Sequence, residues 1–210
     1  MSRTHITVIL DRTGSMDPIR ADVVGGYNAF LDKQRAAAGT ATLTLVQFDS
    51  QDPYEVLHAD ADVANVAPLT LEQYVPRAST PLYDAIGRGI LELEAALARR
   101  AEAERADQVI FVIVTDGAEN ASVEFDRTRV ARLIDAKKAL GWQFVFLSAD
   151  LDAFEDAGRI GVARSSRLAF AKSKQGNDAA WDLLADKVCE SRRVPAPVAF
   201  DEADRRKAAE

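Results

Sequence analysis

Val109 to Val114 is an uninterrupted run of apolar residues. A run that short and that continuous fits a strand buried on both faces, as a parallel sheet requires. Ile6 to Leu10 is nearly the same, broken only by Thr7, and Leu43 to Phe48 and Phe144 to Leu147 belong with it. Longer stretches with helical stripes lie between these runs. Ile19, Val23, Tyr27, Phe30 and Leu31 fall on one face of a first helix; Leu82, Ile86, Ile90, Leu93 and Leu97 on one face of a second; Val130, Leu133 and Ile134 mark a third. Asp17-Pro18 and Thr80-Pro81 each place a capping residue before a proline suited to the first helical position. Tyr54 to His58 follows the Leu43 run after only Asp49-Ser50-Gln51-Asp52-Pro53, too short for a crossover helix, so this pair is expected to be antiparallel. A weaker strand at Leu168 to Ala171 and a last helix near Asp178 to Cys189 complete the pattern. It predicts an α/β fold: a doubly wound, Rossmann-like, mostly parallel six-stranded sheet with one antiparallel edge strand and helices on both faces.

The chain has 210 residues, 48% of them hydrophobic, enough for one sizeable core. One domain is expected over residues 1–191, with residues 192–210 a charged C-terminal tail. Pro195 and Pro197 break helix there, and the tail is either disordered or a short helix packing back through Phe200. The net charge of -7 and the lack of a long basic block argue against a nucleic-acid partner. The opening apolar run stops at Leu10 before Asp11 and Arg12, unlike a secretory leader, and no segment approaches the roughly 20 apolar residues of a membrane helix. A cytoplasmic protein with no membrane association is the expectation. The single cysteine, Cys189, lies beside the stripe Trp181, Leu184, Ala185, Val188 and reads as a packed thiol. His5 and His58, at a strand start and a strand end, read as solvated or capping.

Three segments carry the chemistry. Asp11-Arg12-Thr13-Gly14-Ser15 follows the first buried strand, Thr115-Asp116-Gly117 follows the longest one, and Ser79-Thr80-Pro81-Leu82 opens a helix between them. Ligands of doubly wound sheets bind beyond the carboxyl ends of the strands, where strand order reverses. If the first strand and the Val109 strand flank that reversal, Asp11 and Asp116 meet there, with Thr13, Ser15 and Thr80 lining the cleft. Two carboxylates and three hydroxyls form an all-oxygen set suited to a hard cation, Mg²⁺ or else Mn²⁺ or Ca²⁺. Asp17 reads as a helix cap, Asp84 as a first-turn acid favoured by the helix dipole, and Glu119 and Asn120 as ordinary loop polarity.

Asp11-x-Thr13-x-Ser15, then Thr80, then Asp116 resembles the metal-ion-dependent adhesion site of von Willebrand factor A domains. The flanking Thr80-Pro81-Leu82-Tyr83-Asp84-Ala85-Ile86 is similar too, and the likeness covers Thr4 to Leu147 and extends toward Cys189. The usual motif has serine where this chain has Thr13, which keeps the hydroxyl and adds a methyl group. The resemblance implies a sheet ordered 3-2-1-4-5-6 with strand three antiparallel. It also implies metal-dependent binding of proteins or peptides, in which the cation takes an acidic side chain of the partner.

Three functions compete. A binding module without catalysis needs only the cleft. A metal-optional scaffold is the second; stand-alone bacterial proteins that look like this one serve stress-response systems or AAA+ ATPases, and the chain itself has no Gly-x-x-x-x-Gly-Lys-Ser/Thr loop. A metal-dependent phosphohydrolase is the third, suggested by the aspartate at the end of the first strand. Such enzymes need a second acid two residues on, where this chain has Thr13.

Overall fold

The computed structural model describes residues 3–210; Met1 and Ser2, at the head of the expected domain, lie outside the described residues. Six strands form one sheet: β1 (Arg3–Asp11), β2 (Thr40–Phe48), β3 (Glu55–Asp62), β4 (Gln108–Thr115), β5 (Gln143–Ser148) and β6 (Arg167–Ala169). Their order is β3-β2-β1-β4-β5-β6. All neighbours are parallel except β2 and β3. The order and the antiparallel edge are those expected. The helices are α1 (Arg20–Ala36), α2 (Leu82–Arg99), α3 (Arg127–Lys138), α4 (Leu151–Arg159), α5 (Lys174–Arg193) and α6 (Glu202–Ala208). Among the described residues no helix is long and apolar enough to cross a membrane.

Alternation along the strands divides the core in two. Ile6, Val8 and Leu10 of β1, with Ile110, Val112 and Val114 of β4, face Val23, Tyr27 and Leu31 of α1 and Trp181, Leu184 and Val188 of α5. Ile9, Phe111 and Ile113 face the other way, onto Ile86 and Ile90 of α2 and Val130 and Ile134 of α3. A strand with apolar side chains on both faces needs helices on both, hence the continuous runs in the sequence. The α1–α5 seam is built around Trp181, whose ring meets Tyr27 edge-on at 6.0 Å. Cys189 lies in the same seam, where the Gln34 side-chain amide donates to its Sγ at 3.2 Å and burial raises the thiol pKa.

Several local expectations need correction. The nine-residue α4 was not foreseen: only Ala153, Phe154 and Ala157 of it are buried, too few to print a stripe, and it starts because the Asp150 side chain accepts from the Ala153 amide at 2.7 Å. The boundary at residue 192 does not coincide with a structural break, since α5 runs through it to Arg193 and Arg192 is buried against Gln34. The following segment takes the helical alternative: Val198 and Phe200 are buried and Asp201 caps α6 with a capping box. That segment packs on the turn that leads into β6, with Phe200 N donating to Ser165 O at 2.7 Å, and Arg205 of α6 donates to Arg167 O of β6 at 2.8 Å. Among the described residues the Asp17 side chain caps no helix; it sits inside a 3-10 turn over Gly14–Ile19 that precedes α1. His5 is not solvated but buried, its ring between Thr42 Oγ1 at 2.8 Å and Thr7 Oγ1 at 3.1 Å and facing Asp60 of β3. At Asp60, φ is 48°, and the β2–β3 register shifts twice nearby, between Leu43 and Leu45 and between Leu45 and Val46.

Adjacent glycines of α1 give a direct measure of how tightly the seam is packed. Alanine is favoured over glycine inside a helix by about 1 kcal/mol. A Cβ on Gly25 meets nothing within 4 Å, whereas one on Gly26 would lie 2.2 Å from Trp181 Cδ1. Gly25→Ala is therefore expected to stabilise the protein by roughly 0.5–1 kcal/mol. Gly26→Ala should destabilise it by about 1–3 kcal/mol through overpacking. Urea denaturation of both variants checks this, and equal shifts would mean that Trp181 moves aside freely.

Candidate functional site

The chain order reverses between β1 and β4: β1 leads outward to β2 and β3, β4 to β5 and β6. The crevice of a doubly wound sheet forms there, beyond the carboxyl ends. Asp11 is the last residue of β1, and Asp116 follows the last residue of β4. Leu10 pairs with Val114, so Asp11 comes level with Thr115. The Asp11 carboxylate is fully buried and both oxygens are engaged: Oδ1 accepts from Thr13 N at 2.7 Å, Oδ2 from the Thr115 hydroxyl at 2.5 Å. Burial pushes its pKa up to about 7; the bonds from Thr115 and Thr13 pull it down, and the nearby Asp116 charge adds to the rise.

A chain of hydroxyls leads from there to the second carboxylate. Thr13 Oγ1 is 3.2 Å from Ser15 Oγ, and Ser15 donates to Asp116 Oδ1 at 2.6 Å. The point where a Cβ would stand on Gly117 is 3.5 Å from Thr80 Oγ1 and 3.6 Å from Ser15 Oγ, so these hydroxyls close on one spot beside Gly117. The structure thus brings Thr13, Ser15, Thr80 and Asp116 to one place. Asp11 stands behind them and reaches the cluster through the Thr13 backbone.

Thr80 differs from its expected role. The N-cap of α2 is Pro81, with no side-chain cap bond, so Thr80 does not cap the helix. Among the described residues its hydroxyl makes no hydrogen bond, while its backbone is held on both sides by Asn120: Thr80 N donates to Asn120 Oδ1 at 2.9 Å and Asn120 N to Thr80 O at 3.0 Å. The loop after β4 is tied down further by two acids, one of which, Glu119, the sequence reads only as loop polarity. Glu119 accepts from Tyr83 N at 2.8 Å. Asp84 lies in the first turn of α2, as expected; fully buried, it also accepts from the Val123, Glu124 and Phe125 amides at 2.8–2.9 Å, which fastens the loop to α2.

The long connection from Val63 to Pro81 closes the other side. Tyr74, buried, donates its hydroxyl to Asp11 O at 2.5 Å. Arg77 N donates to Arg12 O, and Gly14 N to Ala78 O. Beneath them Asp49, without solvent exposure, meets Arg12 at 2.6 Å and Arg77 at 3.0 Å. Burial alone would raise the Asp49 pKa, but hydrogen bonds from Gln51 N, Arg77, Arg12 and Asp52 N outweigh it and hold the carboxyl below its ordinary value. Neither Tyr74 nor this ion cluster carries a sequence signal, since both are set by contacts across long separations.

The least expected member is Lys172, on the loop between β6 and α5. Its Nζ is 2.5 Å from Asp116 Oδ2 and donates to Ser15 O at 2.7 Å. One signal existed: a strand ending near Ala171 delivers the next residue to the same carboxyl edge.

The donor set suits a divalent cation. It is all oxygen, it includes the unbonded Thr80 hydroxyl, and the Asp116 carboxylate, with Asp11 behind it, offsets part of a double positive charge. Among the described residues no three His, Cys, Asp or Glu side chains cluster, so any ion held here relies on hydroxyls as well as acids.

No protein-family model matches the sequence, and no curated protein does. Solved structures do match. A von Willebrand factor type A protein from Catenulispora acidiphila is similar over 90% of this chain and 43% of its own, with a TM-score of 0.63 at 12% identity. The manganese-loaded TRAP protein of Plasmodium vivax matches over 81% of this chain and 69% of its own, with a TM-score of 0.56 at 15% identity. Proximal thread matrix protein 1 from the mussel byssus, with a zinc-occupied MIDAS motif, matches over 90% and 46%, with a TM-score of 0.57 at 14% identity. This chain therefore spans less than half of the first and third of these proteins. The strand order, the antiparallel edge and these likenesses agree: the chain has the von Willebrand factor A-type fold.

Proposed function

We propose that the protein is a binding module that takes a divalent cation at Ser15, Thr80 and Asp116, with Asp11 and Thr13 completing the site, and uses it to hold an acidic side chain of a protein partner. The carrying observation is the convergence, from three separate segments, of the Ser15 and Thr80 hydroxyls beside Gly117, with Asp116 bonded to Ser15 and the Thr13 hydroxyl next to it. When bound, the ion supplies residual positive charge and an open coordination position, because most of its ligands are neutral. Ser15 and Thr80 present lone pairs; Asp116 offsets charge; Asp11 fixes the Thr13 backbone through Oδ1 and so sets the loop. Hard oxygen donors favour Mg²⁺ or Mn²⁺, with Ca²⁺ next, over Zn²⁺. The manganese in the TRAP protein and the zinc in the mussel protein are both compatible with a site of this kind.

A metal-optional scaffold is the second reading, and the ammonium of Lys172 on Asp116 favours it. The phosphohydrolase reading has less support: Thr13 is engaged with Ser15, and the Asp11 oxygens are both occupied by the fold, leaving no free strand-end nucleophile with a paired base. A generic phosphate ester is expected to show no turnover; turnover that survives purification and vanishes in Asp11→Asn would overturn the binding-module reading.

Thermal melting separates the first two. An ion at a hundred times its Kd stabilises by about 2.7 kcal/mol, which in a domain of this size is roughly 5–10 °C. Wild type in millimolar Mg²⁺ or Mn²⁺ should gain that much over EDTA, while Thr80→Ala and Asp116→Asn should not. Without metal, Thr80→Ala should melt close to wild type because no cap bond is lost. Asp116→Asn should melt lower, since it removes the negative charge that pairs with the Lys172 ammonium. A full metal-dependent gain in either variant removes that residue from the site; no gain in wild type leaves the scaffold.

A further inference from the structure

We propose that Lys172 is a tethered counter-cation of this site, which a divalent ion must displace in order to bind. The inference rests on the cation-binding reading above and concerns how that site is regulated.

The Asp116 side chain has no exposed surface; Oδ1 accepts from the Ser15 hydroxyl, while Oδ2 accepts no hydrogen bond among the described residues and has only the Lys172 ammonium beside it as an ion pair. A carboxylate so buried needs a counter-charge, or its desolvation destabilises the fold. Asp11, close by, increases that need. Lys172 meets it, and by donating also to Ser15 O it spans two of the residues proposed to hold the ion. An ammonium has three donors and no lone pair, so it cannot serve as a ligand. A divalent ion on Asp116 Oδ2 would confront it across one oxygen, where like charges repel strongly. Lysine and metal therefore exclude each other at that oxygen.

The geometry permits the exchange. The backbone on either side of Lys172 is pinned: Ala171 N donates to Ala208 O at 2.8 Å, and Ser173 caps α5 by accepting from Gly176 N at 3.0 Å. The side chain is not buried; it is 37% exposed and has a flexible four-carbon stem. It can turn out to water without disturbing the core and return when the ion leaves. Because the loop holds it nearby, it competes at a high effective concentration, which lowers the apparent affinity for metal without altering any ligand. Lys174, two residues on, pairs instead with Asp178 at 2.7 Å and Asp22 at 3.9 Å, and serves as a control of equal charge.

The test is calorimetric titration of wild type, Lys172→Gln and Lys174→Gln with Mn²⁺ and with Mg²⁺, and melting of each in EDTA. Lys172→Gln should bind roughly tenfold to a hundredfold more tightly than wild type, the span of one charge-assisted hydrogen bond. Its metal-free melting temperature should fall. Lys174→Gln should behave as wild type. Binding by Lys172→Gln but not by wild type supports the proposal in its strongest form. Equal affinity in wild type and Lys172→Gln overturns it and leaves the cation site intact, as does an equal rise in both variants, which would be bulk charge alone. No binding by either wild type or Lys172→Gln overturns it together with the cation site. As a second measurement, amine acylation of Lys172 in wild type, read by mass spectrometry, should quicken on adding Mn²⁺; an unchanged rate also overturns the proposal.

Discussion

The Asp11 carboxylate sits without solvent exposure at the end of a strand that is itself covered on both faces, and much of the surrounding structure serves to make that position tolerable. An ionised carboxylate with no partners in such a place would cost several kcal/mol. Here the Thr13 amide and the Thr115 hydroxyl occupy its two oxygens. Each partner depends on a larger feature. Thr115 is level with Asp11 only because β1 and β4 are in one register; slipping by one residue would turn it to the other face. Thr13 returns its amide only because the chain turns at once into the 3-10 segment. The backbone oxygen of Asp11 in turn receives Tyr74, which draws the long loop before α2 across the strand ends. Sheet register, turn and loop are thus coupled at one buried acid.

A second group of charges balances the first. Arg12, adjacent to Asp11 in the chain, points to the opposite side and joins Asp49, Glu55 and Arg77. Removing one member of a buried pair leaves the other uncompensated, so such groups act as a unit. This cluster holds the β2–β3 turn and the loop before α2 against the end of β1. Asn120, Glu119 and Asp84 do the same for the loop after β4. The hydroxyls of the site are therefore aimed by polar contacts made around its rim.

The sheet was legible in the sequence because strands buried on both faces must be written in continuous apolar residues. Val109 to Val114 shows it most clearly, and the five-residue link before Tyr54 revealed the antiparallel edge. The five expected site residues were legible as a spaced pattern of acids and hydroxyls, and the structure gathers four of them directly. What the sequence withheld has a common cause. Tyr74, Asn120, Asp49 and Lys172 act through contacts between residues far apart in the chain, and a lone tyrosine or lysine in a polar loop looks like any other. Thr80 was read as a cap because Thr-Pro is a good local start signal; the loop after β4 overrides it by holding the Thr80 backbone. Nor was α4 visible, since its contact with the core is three residues wide. His5 was misplaced because a polar residue at a strand start is normally solvated, and only the bulged β3 brings Asp60 over it.

The two margins of the sheet bear on how another molecule can approach. An open sheet edge ordinarily invites a foreign strand to pair with it. On β3 the paired ladder is interrupted twice, and Asp60, in a left-handed conformation and tied to His5 and Arg100, kinks the outermost strand. On β6 the strand is only three residues long, and Arg205 of α6 already occupies the Arg167 carbonyl at its start. Neither margin offers the straight row of unused amides and carbonyls on which strand addition depends. Recruitment by borrowing a strand is therefore disfavoured on both sides, and the face at the strand ends, with its carboxylates and hydroxyls, remains the place where recognition has chemistry to use.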